Sequence, residues 1–258
     1  MSERRRYAVV TPYHREAPDM LRRCLDSVKR QTVAADQIMV ADGFPQDWID
    51  AEPVRHLKLD REHGDYGNTP RGVGALLAAA ERYEAIALLD ADNWLEPEHV
   101  ETCLAAARGA SRGICDFVIA RRIFRRPDET VMAVADEGID THVDTNCFFF
   151  LEGSYHTLPI WALMHRTASR VCDRIFYQAI RQRRLIAALT SRPTVNYHCV
   201  YESVYRALGE QPPPGAKPNA SGRAFVDWLA TLSDRELEIE GRLAGGPLAR
   251  PGRKPGGR

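Results

Sequence analysis

Two carboxylates separated by one small residue end a strongly apolar stretch of the sequence, LLDADNW at residues 88–94. Side chains alternate along an extended strand, so Asp90 and Asp92 are expected on the same side, with Ala91 pointing away. Two anions in this arrangement repel each other unless a cation joins them. A hard divalent ion takes oxygen ligands and often uses only one or two carboxylates, with water and substrate phosphates completing its shell. The spacing therefore makes these acids a candidate cation site.

The same segment also fits the start of a helix. Asp and Asn are common N-caps, and the following LEPEHVETCLAAA has Pro97 near a first helical turn, with Glu96 and Glu98 at its positive end. The motif alone does not separate a cation site from a helix cap. Both interpretations stay open until the rest of the chain is considered.

The elements that position these acids alternate between strands and helices. Apolar, β-rich runs occur in YAVVTP, QIMVADG, VRHLKLD and AIALLDAD. Between them, EAPDMLRRCLDSVKRQT has apolar residues at helical spacing, and PRGVGALLAAAERY is a helix of small residues. This alternation predicts an α/β fold in which helices cover both faces of a parallel sheet.

Polar residues mark the ends of three predicted strands. These ends are Thr11-Pro12-Tyr13, Asp42-Gly43 and Asp90-Ala91-Asp92. Open sheets of this type bind ligands outside the carboxyl ends of their strands, so one crevice is expected to collect all three. That convergence favours a functional site over a simple cap.

The pattern becomes less regular after residue 115. The segment DFVIARRIFRR, a turn at Pro127-Asp128 and the segment TVMAVAD predict a hairpin, followed by the aromatic-rich HVDTNCFFFLEG. A helix is predicted from Asp173 to Arg184, a short strand at 195–197 and a helix at 201–208. QPPPGAKPNASG has the composition of a linker, and RAFVDWLATLSDRELEIEGRL predicts one or two amphipathic helices.

The composition is that of a globular protein. The 258 residues, 44% of them hydrophobic, are enough to bury a substantial core. Thirty-five basic residues balance thirty-five acidic ones, so no overall field attracts nucleic acid or an anionic membrane. The six cysteines form no CxxC pair and no apolar run approaches the length of a membrane span. We therefore expect a cytoplasmic protein, and peripheral contact with the inner face of the membrane stays open.

Five segments together resemble the inverting GT-A glycosyltransferases of family 2: VVTPYHRE, VADG, PRGVGALLAAA, LLDADNWLEPEHV and VCDRIFYQAI. The resemblance covers roughly residues 6 to 205. It implies a GT-A, Rossmann-like, mostly parallel central sheet with helices on both faces, a small antiparallel acceptor-side part and a C-terminal helical extension. The expected divisions are a donor half at 1–115, an acceptor and catalytic half at 116–210, a linker and C-terminal helix at 211–245, and a disordered tail at 246–258.

On the nucleoside side, the resemblance assigns four residues. Pro12 and Tyr13 match the loop after the first strand that packs against the nucleoside, and Thr11 is placed to hydrogen-bond the base. Asp42 matches an acid that accepts a hydrogen bond from the base. Family members usually carry two acids there, and Ala41 stands in the first position, which leaves Asp42 alone in that role.

On the phosphate side, the resemblance implies a divalent metal, Mn²⁺ or Mg²⁺. Arg71 matches a basic residue placed to meet the diphosphate, for which a guanidinium offers forked donors. In the Asp90-Ala91-Asp92 motif, Asp90 matches the ribose or metal-side acid and Asp92 the direct metal ligand. His198 falls where some GT-A enzymes bring a late histidine to the metal, and a packed histidine is the alternative interpretation.

The resemblance also implies a catalytic base late in the chain. Asp173 matches an acid at the start of a helix that follows an irregular segment, although a helix cap competes with this role. Asp144 resembles an acceptor-side residue that helps to hold the sugar, and Asp144 and Glu152 are competing bases. Trp161 is either a residue that stacks on a sugar ring or, as for most lone tryptophans, a core residue.

The implied reaction moves a sugar from a nucleoside diphosphate sugar, with a UDP-sugar favoured, to a hydroxyl of a glycan, lipid-linked or small-molecule acceptor. A sugar-phosphate nucleotidyltransferase is a rival, but such enzymes carry a glycine-rich loop after the first strand, and TPYHRE contains no glycine. A nucleotide-sugar-binding regulatory protein without turnover is the non-enzyme alternative. The glycine-spaced EHGDYGNT, with His63 and Asp65, is a candidate lid.

Overall fold

The computed structural model describes residues 6–110, 113–134, 139–140 and 142–250. Its strands are β1 (Tyr7–Tyr13), β2 (Asp36–Asp42), β3 (Arg55–Leu59), β4 (Ala85–Leu88), β5 (Trp94–Leu95), β6 (Phe117–Arg125), β7 (Phe148–Leu151) and β8 (Ala187–His198). They form one sheet in the order β3-β2-β1-β4-β7-β6-β8-β5.

The first four strands of that order are parallel, as the alternating sequence pattern predicts. β7 is antiparallel to both β4 and β6, β8 is parallel to β6, and β5 is antiparallel to β8. The predicted α/β fold with a mostly parallel sheet and a small antiparallel part is therefore confirmed. All the parallel strands of the first half end at one edge of the sheet, which is the edge that carries the candidate residues.

Helices cover both faces of the sheet. They are α1 (Pro18–Lys29), α2 (Asn68–Ala80), α3 (His99–Arg108), α4 (Pro159–Leu163), α5 (Cys172–Gln182), α6 (Glu202–Ala207), α7 (Arg223–Thr231) and α8 (Asp234–Leu243). Alternation along β1 separates the two cores: Val10 packs in the cluster that contains α2, and Val9 packs in the cluster that contains α1 and α3. The sheet is thus buried on both sides.

Two glycines let α2 lie close to its neighbours. A Cβ at Gly74 would come within 2.6 Å of Val10 Cγ1 and 2.9 Å of Val40 Cγ2, and one at Gly72 within 2.6 Å of Ala162 Cβ. Real Cβ atoms do not approach other atoms that closely, so both positions require glycine for this packing. The close approach fixes the N-terminal turn of α2 against the sheet edge.

The second half departs from the sequence-based prediction in two places. The predicted hairpin is wrong beyond its turn, because the second arm contributes a single bridge, from Val131 to Arg125, while β7 and β8 flank β6 instead. Both flanking strands offer longer apolar pairings than that arm does. The last two residues of that arm, Ala135 and Asp136, lie outside the described residues. The predicted short strand at 195–197 is the end of the twelve-residue β8.

The C-terminal segment folds as two helices that pack on the core. Phe225 and Leu229 of α7 join the cluster that contains α2, and α8 begins with a capping box between Ser233 and Glu236. Leu248 packs against the same cluster, so residues 246–250 of the predicted tail are docked, while 251–258 lie outside the described residues. In the described ranges, no helix is both long and apolar enough to cross a bilayer.

Candidate active site

A cleft of about 760 Å³ opens at the carboxyl ends of β1, β2 and β4. It collects most of the residues singled out in the sequence, which lie on elements far apart along the chain. They include Pro12, Asp42, Asp90, Asp92, Asp173 and His198. The predicted convergence of the three strand ends on one crevice therefore occurs, and residues of the second half join it.

Arg71 forms a buried ion pair with Asp90. Its guanidinium is 3% exposed and lies 2.5 Å from Asp90 Oδ1 and 2.9 Å from Asn68 Oδ1. Below it, 5.0 Å from the guanidinium carbon, lies the ring of Trp161, which is fully buried. The interpretation of Trp161 as a sugar-stacking residue is wrong, because its ring belongs to the core that supports Arg71.

Asn146, which the sequence did not single out, joins the donor half to the acceptor half. Its Oδ1 accepts a hydrogen bond from the Asp90 backbone N–H at 2.5 Å, and its Nδ2 donates to Asp90 Oδ2 at 3.2 Å and Asp144 Oδ1 at 2.7 Å. Asp144 also accepts from Arg122 at 2.8 Å. Asp144 is thus held by donors from β6 and from the segment just before β7.

Asp92 is a half-buried acid among other acids. Burial raises the pKa of Asp92 to about 7, and the nearby charges of Asp90, Glu16 and Asp144 add to that rise. The side-chain amide of Asn93 donates to Asp92 Oδ1 at 2.9 Å. A carboxylate in such surroundings gains from a nearby cation, which fits the metal role that the sequence suggested.

His198 reaches the same cleft because β5 pairs with β8. The Asn93 side chain that donates to Asp92 also accepts from the His198 backbone N–H at 2.8 Å, so one amide positions both residues. Burial and the charge of Arg23 lower the pKa of His198, and its Nδ1 is buried with no hydrogen-bond partner among the described residues. A neutral imidazole with an unpaired nitrogen suits a metal.

The protein residues do not form a complete metal cage by themselves. No group of three His, Cys, Asp or Glu side chains is assembled tightly enough to hold an ion in the described ranges. An ion at Asp90, Asp92 or His198 would therefore need oxygen ligands from a substrate and water as well, which is how small hard cations are often held.

Asp173 lies at the start of α5 and lines the cleft. One of its oxygens contacts His142 Nε2 at 2.6 Å, and the other accepts from the Arg174 backbone N–H at 2.7 Å. Burial raises the pKa of Tyr201, and the charges of Asp144, Asp173 and Asp92 raise it further. The charges of these three acids therefore all act on one phenol, so the candidate base and a candidate metal ligand share one electrostatic environment.

Glu152 is excluded as a base by the direction of its strand. It follows Leu151, which pairs with Ala85 at the start of β4, whereas Asp90 follows the end of β4. Glu152 and Asp90 thus lie at opposite edges of the sheet. The proposal of Glu152 as a competing base is wrong for this reason.

The residues expected around the nucleoside divide into two groups. Pro12, Tyr13 and Asp42 line the cleft, with the Tyr13 hydroxyl 2.6 Å from His56 Nε2. Thr11 does not reach it: its side chain is fully buried toward α1, and its hydroxyl accepts from Gln37 Nε2 at 2.9 Å. The expected contact of Thr11 with the base is wrong, because strand alternation directs this side chain into the core.

The proposed lid residues have structural partners. His63 Nδ1 lies 2.6 Å from Asp42 Oδ1, and the His63 backbone N–H donates to the same carboxylate. Asp65 accepts hydrogen bonds from the backbone N–H and the hydroxyl of Thr69 in the first turn of α2. His63 therefore ties its loop to the end of β2, and Asp65 ties the following turn to α2.

Comparison with known proteins places this architecture in a family. The family model described as Glycosyl transferase family 2 matches residues 8–168. The Bacillus subtilis protein EpsH is 29% identical over 90 residues, 34% of this chain and 26% of EpsH, so the chain matches only about a quarter of that relative.

Among solved structures, the chain is similar to TarS of S. aureus. A crystal structure of TarS 1–349 in complex with UDP gives a TM-score of 0.58 at 11% identity, covering 92% of this chain and 70% of that one. The complex of the same fragment with UDP-GlcNAc gives 0.55 at 12% identity, covering 92% and 71%. These likenesses show a shared GT-A fold, and the match of the family model to more than half of the sequence shows that the chain belongs to glycosyl transferase family 2.

Proposed function

We propose that this chain is a metal-dependent inverting glycosyltransferase that moves a sugar from a nucleoside diphosphate sugar to an acceptor hydroxyl. The observation that carries the proposal is a single cleft holding the strand-end acids Asp90 and Asp92 together with Asp173 from the later half. Family membership and the fold shared with a UDP-sugar-binding protein support it, and they favour a UDP-sugar as donor. The acceptor class is a glycan, a lipid-linked sugar or a small molecule.

On the donor side, this chain's residues bind and orient. Pro12, Tyr13 and Asp42 are placed for the nucleoside, with Asp42 held by His63 at the end of β2. Arg71 pairs with Asp90 and holds that carboxylate in place after the end of β4. Asp92 would hold a divalent ion, with Asp90 and His198 as further candidate ligands and with oxygens of the substrate and water completing its shell. The ion would supply charge stabilisation for the departing diphosphate.

On the acceptor side, Asp173 takes the proton. As the acceptor oxygen bonds to the anomeric carbon, the bond from that carbon to the phosphate oxygen breaks, and the hydroxyl proton passes to Asp173. Direct displacement of this kind inverts the anomeric centre. We prefer Asp173 to Asp144 because Asp144 is paired with a guanidinium, that of Arg122, whereas the side chain that contacts Asp173 is the imidazole of His142.

The donor assignment is tested by thermal unfolding with UDP, GDP or dTDP in the presence of Mn²⁺ or Mg²⁺. We expect a metal-dependent rise in melting temperature with UDP, and its loss in Asp92→Ala, because a ligand that binds only the folded state stabilises it. A shift that persists unchanged in Asp92→Ala would remove this residue from the site.

The base assignment is tested with Asp173→Asn and, as a matched change at the opposite sheet edge, Glu152→Gln. We expect Asp173→Asn to keep the affinity for UDP and to lose sugar transfer, measured as UDP release from UDP-sugars with a panel of acceptors. Glu152→Gln should keep both. Full transfer by Asp173→Asn would give the role of base to Asp144.

A further inference from the structure

The segment predicted as a linker contributes a wall of the cleft. Residues 217–220, here called the strap, are tied to the start of α6, since Lys217 N–H donates to Val200 at 2.6 Å and Glu202 N–H donates to Lys217 at 2.9 Å. Lys217, Pro218 and Ala220 all line the cleft beside the candidate donor residues. The strap is thus held by backbone hydrogen bonds on the side of the cleft formed by the later half.

The cleft is short of positive charge. Eight carboxylates line it in the described ranges, against three lysine or arginine side chains, Arg71, Arg170 and Lys217. Arg71 is paired with Asp90, and the guanidinium of Arg170 lies 5.8 Å over the ring of Tyr66. Among the described residues, Lys217 makes no side-chain ion pair, and its side chain is exposed.

Lys217 lies close to the end of β8, which carries His198. Its backbone N–H donates to the carbonyl oxygen of Val200, two residues after His198, and both Lys217 and His198 line the cleft. An exposed ammonium at this position, without an ion pair among the described residues, is suited to an anion that enters the cleft.

We propose that Lys217 binds the diphosphate of the nucleotide sugar and stabilises it as it leaves. This inference rests on the proposed function and adds a residue from outside the segment matched by the family model. Arg71 cannot serve equally well, because a phosphate would have to compete with Asp90 for a guanidinium that is almost fully buried. A donor that strengthens its contact as charge develops on the leaving group favours the transition state.

The test compares Lys217→Met with Lys217→Arg and with Lys58→Met, a lysine exchange outside the cleft. The dissociation constant of UDP in the presence of Mn²⁺ is measured by calorimetry, and that of uridine by NMR titration. We expect Lys217→Met to weaken the binding of UDP about tenfold, because loss of one charged hydrogen bond costs about a factor of ten or more in affinity. Lys217→Arg should bind UDP within about threefold of the wild type. Uridine affinity should be unchanged in all three variants, and Lys58→Met should bind UDP like the wild type.

Two results would overturn the assignment of Lys217 while leaving the proposed function intact. One is UDP binding by Lys217→Met that equals wild-type binding. The other is an equal weakening of uridine, which would show that the strap shapes the nucleoside site instead of binding the phosphates. A wild-type chain that binds neither UDP nor another nucleoside diphosphate with metal would contradict the proposed function and this inference together.

Discussion

The buried pair of Arg71 and Asp90 should be strongly coupled in stability. Arg71 is 3% exposed, so Asp90→Asn leaves a buried cation without its anion, at a cost of about 3–5 kcal/mol in the free energy of unfolding. The Asp90 side chain is 31% exposed and keeps its bond from Asn146, so Arg71→Met should cost less, about 1–3 kcal/mol. The double variant removes both charges and should be less destabilised than the sum by about 1–3 kcal/mol.

The assay is urea unfolding of the wild type, both single variants and the double variant, fitted to a two-state transition. A matched cycle uses Arg55→Met and Glu81→Gln, an ion pair whose side chains are 40% and 32% exposed. Because water already solvates that pair, its coupling should stay below about 1 kcal/mol. Effects at Arg71 and Asp90 that add within about 0.5 kcal/mol would refute the buried-pair argument.

Two further predictions concern the frame around the site. Burial lowers the pKa of His99 to about 4, so between about pH 6.5 and pH 4 the unfolded chain binds a proton at this residue and the folded chain does not. The free energy of unfolding should therefore fall by about 2 kcal/mol from pH 7 to pH 5. In urea unfolding, His99→Gln should lack this loss. Gly72→Ala should lower the free energy of unfolding by about 1–3 kcal/mol in the same assay, because the new methyl group would clash with Ala162. Gly109→Ala is the control and should be nearly neutral, since its Cβ would lie 3.5 Å from its nearest neighbour. Equal effects of the two substitutions would contradict the packing argument.

The first half of the fold could be predicted from the sequence because its signals are local. Each of β1, β2 and β4 is a mainly apolar run with polar residues at or just after its end, and a parallel sheet brings such ends to one edge. The same alternation decides the orientation of Thr11, which lies on the face of β1 that carries Val9. The sequence thus contained the information that places Thr11 in the core.

The features of the candidate site that could not be predicted from the sequence are contacts between distant segments. Asn146 meets Asp90 across 56 positions, and His198 meets Asn93 across 105. Neither contact follows from local periodicity, because each requires the pairing of strands from different halves of the chain. Lys217 was assigned to a linker by its proline-rich neighbours, although backbone hydrogen bonds hold it at the cleft.

The hydrogen bonds of Asn146 have a consequence for the energetics of ligand recognition. One amide spans Asp90 and Asp144, so the relative positions of two acids from separate halves are set before any ligand arrives. In a preorganised binding site, ordering the site's own groups costs little of the binding free energy. Because Asn146 already holds Asp90 and Asp144, a ligand that contacts both acids does not have to bring them together.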